Sequence, residues 1–265
     1  MLRALRAYPA LLRIGFAAVV AYRAELVVWI LTASMPLIML GVFDRVADAG
    51  PVAGLDHAGV AGYFVAVLIV RQLASTWLVW ELNQQIRTGA LSAALLRPLH
   101  PLVWHSAETL ATVPLRVVVL APLLLPIWLW RPELQLALDP ASLLVFTASV
   151  VLAWGVNFAV HTAFASLAFW LGQSMGLFQV WFGVWVLFSG YAIPLGAMPE
   201  WAQLFAEWAP FRAIIGIPAD VLSGRVTLAH APQLLAVQAL WLCAFAALGG
   251  ALWRRGVRRY EGQGA

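Results

Sequence analysis

Between Pro140 and Pro199 the chain carries no Asp, Glu, Lys or Arg. A helix needs about 20 mostly apolar residues to cross the hydrocarbon of a bilayer, and this stretch is three times that long. It can be spent only as two crossings joined by a tight turn, and Gly172-Gln173-Ser174-Met175-Gly176 supplies the turn. Spans are therefore expected at about 141–171 and 177–193, the second closed by Pro194 and Gly196. Composition agrees: 63% of residues are hydrophobic and 11% charged, against about 45–50% apolar in soluble domains, and the mean hydropathy is +0.87.

Four more crossings follow from the same length rule. Leu26–Phe43 is apolar apart from the helix-bending Pro36, Ala58–Trp80 is interrupted only by Arg71, and Val117–Trp130 forms the core of a third span at about 112–130. A last one runs over 231–253 and ends on Arg254 and Arg255. The basic start with Arg3, Arg6 and Arg13 and the Ala47-Asp48-Ala49 triplet resemble a signal peptide and its cleavage site. The uncharged run is too long for one, and Asp44 and Arg45 intervene, so a first membrane span is expected instead.

Arginines concentrate on cytoplasmic flanks of membrane proteins. With both termini inside, eleven fall on the inner side (Arg3, Arg6, Arg13, Arg23, Arg87, Arg97, Arg116, Arg254, Arg255, Arg258, Arg259) and four on the outer (Arg45, Arg131, Arg212, Arg225). The expected fold is thus all-α, a polytopic integral membrane protein of six transmembrane helices with cytoplasmic termini, in one transmembrane domain over 1–265. Trp77, Trp80, Trp128, Trp130, Trp201, Trp208 and Trp253 fall where headgroup anchors belong.

All sixteen basic residues are arginine. A phosphate-binding P-loop requires lysine, so no such loop exists here and any ATP is bound elsewhere. The single cysteine, Cys243, excludes an internal disulfide and a cysteine metal site. His100 and His105 are five apart, off a common helix face, and no convergent His or carboxylate set is expected; metal ligands and catalytic residues are none. The span interiors hold no Asp or Glu, which removes the usual signature of a proton-coupled carrier. Arg71 is the one charge deep in a span and must face the bundle or a wet cavity. It is a candidate pathway residue, with Asn157 and His161, or else a structural partner of backbone carbonyls or an acid.

Three connections carry pattern. Residues 1–25, with Leu11, Leu12, Ile14 and Phe16 between arginines, fit an interfacial amphipathic helix or a basic anchor. In the loop 82–110, Gly89 breaks one helix, Ser92 starts a short one, Leu91, Leu95 and Leu96 share a face, and Pro98 stops it. That face fits a partner's groove, or else lies against the bilayer or the protein's own bundle. In the segment 195–230, Trp201, Leu204, Phe205 and Trp208 recur at helical spacing as an interfacial or re-entrant helix.

The run Arg87-Thr88-Gly89-Ala90-Leu91 to Leu95-Leu96-Arg97-Pro98-Leu99-His100-Pro101 resembles the first inner loop of the ABC-2 permeases. These are the membrane subunits of type 2 ABC exporters, here of the bacterial subgroup encoded apart from its ATPase. Ser189-Gly190, Ile193-Pro194-Leu195, Met198-Pro199-Glu200-Trp201, Pro210-Phe211-Arg212, Pro218-Ala219, Trp253-Arg254-Arg255-Gly256 and Arg258-Arg259-Tyr260-Glu261 extend the likeness. The resemblance implies a permease in the bacterial cytoplasmic membrane. It would pair with a second permease, identical or homologous, and with two copies of an ABC ATPase that bind ATP and Mg themselves. Arg87, Gly89, Leu91, Leu95, Leu96, Arg97 and Pro98 would form the ATPase-coupling helix. No cofactor in this chain and no nucleic-acid partner are expected. The apolar span faces suit an amphipathic, hydrophobic or lipid-like cargo. An ATPase-independent carrier or a lipid-handling scaffold is the alternative.

Overall fold

Polar residues at the ends of apolar runs set where helices begin. In a computed structural model, which describes residues 2–21, 25–131 and 133–260, the chain is helical, and no strand occurs among the described residues. Arg23 and Glu261 lie outside the described residues. The helices are α1 (Leu2–Ala21), α2 (Glu25–Ala47), α3 (His57–Ala74), α4 (Leu78–Thr88), α5 (Leu91–Leu95), α6 (Pro101–Ala111) and α7 (Val113–Trp130). The second half holds α8 (Pro140–Ser166), α9 (Ala168–Leu171), α10 (Met175–Phe188), α11 (Glu200–Trp208), α12 (Gly216–Leu222) and α13 (Ala231–Arg259). Asp56 caps α3 by accepting from the Gly59 N–H at 2.8 Å, and Asp139 caps α8 by accepting from Ser142 at 3.0 Å. Among the described residues, four stretches are long and apolar enough to cross a membrane: His57–Thr88, Pro101–Trp130, Pro140–Leu171 and Leu228–Arg259.

The turn at 172–176 forms as its composition demands. Gly172 takes φ +68°, and the Asn83 side chain on α4 accepts the Ser174 N–H at 2.8 Å. Two expectations change. The crossing expected as one piece over 58–80 is broken between α3 and α4 at Ser75-Thr76-Trp77, with Ser75 extended at φ −78°, ψ 148°. The helix expected over 177–193 stops at Phe188, because Gly190 turns the chain at φ +84° and its carbonyl is held by the Tyr63 hydroxyl at 2.7 Å. At about 1.5 Å per residue, α10 alone reaches only about 21 Å.

α3 is the axis of the molecule. Val60, Phe64, Ala66, Val67, Leu68 and Val70 are fully buried, packed by α2, α7, α8 and α12. Gly62 lets the connection before α8 lie across it, since a Cβ there would stand 2.2 Å from the Gln135 carbonyl oxygen. α8 and α13 run side by side as the most extensive helix pair. α13 continues past Trp253, so Arg254, Arg255, Arg258 and Arg259 ride on the helix itself.

The segment 195–230, expected as an interfacial or re-entrant connection, has an exposed part and a buried one. α11 turns Ala202 and Ala206 inward and leaves Trp201, Leu204, Phe205 and Trp208 exposed, the face expected for a bilayer interface. α12 instead sits inside the bundle against α3 and α8, with Ile214, Ile215 and Ile217 buried before and within it. Arg212 and Arg225, expected as outer flanking charges, fold onto Asp220 at 3.1 and 3.6 Å. The aromatic expectation also divides. Trp128, Trp130, Trp201 and Trp208 are exposed, but Trp253 is buried between Phe169 and His100, with ring centroids 5.6 Å from each.

Candidate functional site

A helix broken inside an apolar bundle strands backbone groups that no water can satisfy, so side chains must take them. The break between α3 and α4 is served from two neighbours. From α7, Arg116 donates to the carbonyls of Gln72 at 3.3 Å and Ser75 at 2.9 Å, and to the Ser75 hydroxyl. From α8, Asn157 donates to the Ala74 carbonyl at 2.8 Å. On the α4 side the Thr76 hydroxyl accepts the Leu78 N–H at 3.3 Å, and His161 Nδ1 accepts the Val79 N–H at 3.4 Å. Because Nδ1 accepts, the proton of a neutral His161 sits on Nε2.

Beside the break lies a cavity of about 240 Å³. Its polar wall includes Arg71, Gln72, Ser75, Arg116, Asn157 and His161; its apolar wall includes Trp77, Trp80, Phe178, Trp181 and Trp185. Arg71 is 14 residues into α3 from His57, about 21 Å along the axis. Its guanidinium rests over the rings of Trp185 at 5.7 Å and Tyr191 at 5.9 Å, a favourable use of the electron-rich ring faces. Its Nε is buried and donates to no described group.

The three pathway candidates Arg71, Asn157 and His161 are thus brought to one cavity. Two of them also hold the backbone of the break. Arg116 is the residue the sequence misplaced: expected as an inner flanking charge, it is 2% exposed within the bundle. Its signal was present only as a cation one turn into an apolar helix. Trp77 and Trp80, expected as headgroup anchors, line the same cavity. The break itself had a faint signal in the polar Ser75-Thr76 pair inside an otherwise apolar run.

The second cluster of expected residues lies at the α4–α6 turn. Gly89 takes φ +79° and ends α4, so the chain can reverse into α5. Arg87, Leu96, Arg97 and Pro98 are exposed, with Leu96 88% accessible. Leu91 is fully buried with Leu78, Val79, Leu82 and Ile86, and Leu95 packs against that cluster. The leucine face therefore lies mainly on the protein's own bundle and anchors the short helix, while its rim is free. The Arg97 guanidinium covers Trp104 at 5.3 Å.

Next to this turn the structure brings together what sequence spacing did not. His105 Nδ1 lies 3.0 Å from both Glu81 and Glu108 carboxylates, and its Nε2 is 3.4 Å from the Gln85 amide oxygen. The three ligand atoms lie within 4.8 Å of one another and could hold a divalent cation. An imidazole placed between two carboxylates satisfies the same geometry unaided. The expectation that no His and carboxylate set converges is corrected here: α4 and α6 meet although the residues are 24 and 3 apart in sequence.

Neither the curated proteins nor the solved structures compared with this chain give a match. Over residues 49–264 the chain matches the family model described as ABC-2 family transporter protein. That span takes in the broken crossing, its cavity, the α4–α6 turn and the whole second half. The chain therefore belongs to the ABC-2 transporter family, as a membrane permease component that is not itself catalytic.

Proposed function

We propose that this chain is the permease subunit of an ATP-driven exporter of amphipathic or lipid-like molecules. It would cross a bacterial cytoplasmic membrane six times, with both termini inside, and pair with a second permease and two copies of a separate ABC ATPase. The observation that carries the proposal is the interrupted α3–α4 crossing with a cavity at the interruption. Broken helices at membrane depth occur where backbone lines a cavity or a substrate route, and a break can tilt its two halves separately. Energy would enter at the opposite end of α4, through Arg87, Gly89, Leu95, Leu96, Arg97 and Pro98, with Leu91 holding the short helix to α4. A push on α5 reaches the cavity through a helix of 11 residues, and the shift between inward and outward states follows from differential contacts in the two.

The test is co-expression with a candidate ABC ATPase. Arg87→Glu, Arg97→Glu or Leu95→Asp is expected to strip the ATPase from the complex or abolish its stimulation, with membrane insertion unchanged. Normal co-purification and stimulated hydrolysis in all three would overturn the coupling assignment. Cargo movement that proceeds without any ATPase would favour a secondary carrier.

A further inference from the structure

We propose that the α3–α4 cavity takes the anionic head group of an amphiphile, making the cargo class an acid or phosphate ester with an apolar body rather than a cation or a sugar. The assignment deepens the permease proposal and rests on it for the word cargo; the binding itself does not depend on any ATPase.

Charge is the first ground. Arg71 and Arg116 both line the cavity, and no Asp or Glu does. Among the described residues no carboxylate lies within ion-pairing distance of Arg71. The ring faces of Trp185 and Tyr191 attract the guanidinium but carry no counter-charge, and the buried Nε keeps one donor without an acceptor. An arginine in this position is costly in a membrane until an anion neutralises it, and a carboxylate or phosphate oxygen supplies the missing acceptor. The His161 Nε2–H adds a neutral donor to the same wall. A cationic ligand would meet two guanidinium groups and is rejected.

Size and exit are the second ground. About 240 Å³ is less than the roughly 300–1,000 Å³ of sites that enclose a drug-sized ligand, so the cavity holds a head group and the segment next to it. The remainder must leave through the wall. Trp80 and Phe182, on α4 and α10, line the cavity and are also 42% and 39% exposed, so an apolar tail emerges between these helices.

The full chain in phosphatidylcholine nanodiscs is titrated by tryptophan fluorescence with dodecyl phosphate, dodecyltrimethylammonium, dodecyl maltoside and inorganic phosphate. Dodecyl phosphate is expected to bind saturably and at least about tenfold more tightly than the other three. Arg71→Gln should lose about tenfold of that affinity, Arg71→Lys should retain most of it, and Trp80→Ala should weaken dodecyl phosphate without changing inorganic phosphate. Equal binding of the cationic and anionic dodecyl compounds overturns the proposal, as does wild-type affinity in Arg71→Gln. Inorganic phosphate binding as tightly as dodecyl phosphate overturns the amphiphile half. If Arg71→Gln does not elute as a folded species, the Lys and Trp80 variants and the four-probe ranking on wild type still decide. Anion selectivity without ATPase coupling would sink the permease proposal alone; ATPase coupling with a preferred cation would sink this one alone.

Discussion

α8 takes part in two contrasting pieces of construction. Against α13 it makes a long, regular seam where small residues let two unbroken helices approach. A Cβ at Gly249 would meet the Ala159 carbonyl at 3.2 Å and the Ala163 nitrogen at 3.3 Å, and Ala159 and Ala163 are buried along that face. The seam has one polar tie: Gln238 accepts from the Ser149 hydroxyl at 2.9 Å and donates to the carbonyls of Ser149 and Ala213 at 3.1 and 2.8 Å. Against α3 and α4, the same helix spends Asn157 and His161 on a backbone that has come apart. The seam is closed and self-satisfied; the break depends on donors borrowed from two neighbours and leaves a cavity. Close packing distributes stability over many contacts, whereas a break concentrates it in a few polar ones and keeps room for motion.

The contrast can be broken at its strongest point first. Arg116→Met removes the donor that holds the carbonyls of Gln72 and Ser75, and it is expected to cost about 3 kcal/mol, the scale of lost charged hydrogen bonds with buried acceptors left behind. Thermal unfolding of the full chain in nanodiscs measures it, and a loss under about 1 kcal/mol would show that the break does not rely on α7. On the seam, Gly249→Leu must push α8 and α13 apart against backbone, for about 2 kcal/mol. Its transport per folded molecule should stay near wild type, and a selective loss of transport would erase the distinction between the two regions.

The sharpest comparison uses two substitutions of similar small cost. Gln238→Leu and Asn157→Leu should each cost about 1 kcal/mol, the usual worth of a hydrogen bond between membrane helices. Transport per folded molecule should fall by about tenfold, equivalent to 1.4 kcal/mol, only for Asn157→Leu. Equal transport losses in the two would mean that polar ties matter alike wherever they sit.

Much of the architecture was legible in the chain. The uncharged run from Pro140, the glycine turn at 172–176 and the amphipathic face of Trp201, Leu204, Phe205 and Trp208 follow from hydropathy and period, which act locally and need no knowledge of neighbours. The site was half legible. Arg71, Asn157 and His161 stand out as polar residues in apolar helices, and the structure does bring them to one cavity. That they meet at a break was not legible, because the break is stabilised by groups 41 to 83 residues away in sequence. For the same reason Arg116 looked like a flanking charge: an arginine near the end of an apolar run has two homes, and only its acceptors decide between them.

What the sequence determined by itself was therefore the solvent, and that no P-loop of this chain supplies the energy. Sixty consecutive uncharged residues require a membrane, and a lysine-free chain cannot carry a P-loop. What the tertiary structure alone decided was where the interior is polar. Which backbone carbonyls are stranded, and which side chains reach them, depends on how α3, α7 and α8 cross, and no local pattern encodes a crossing.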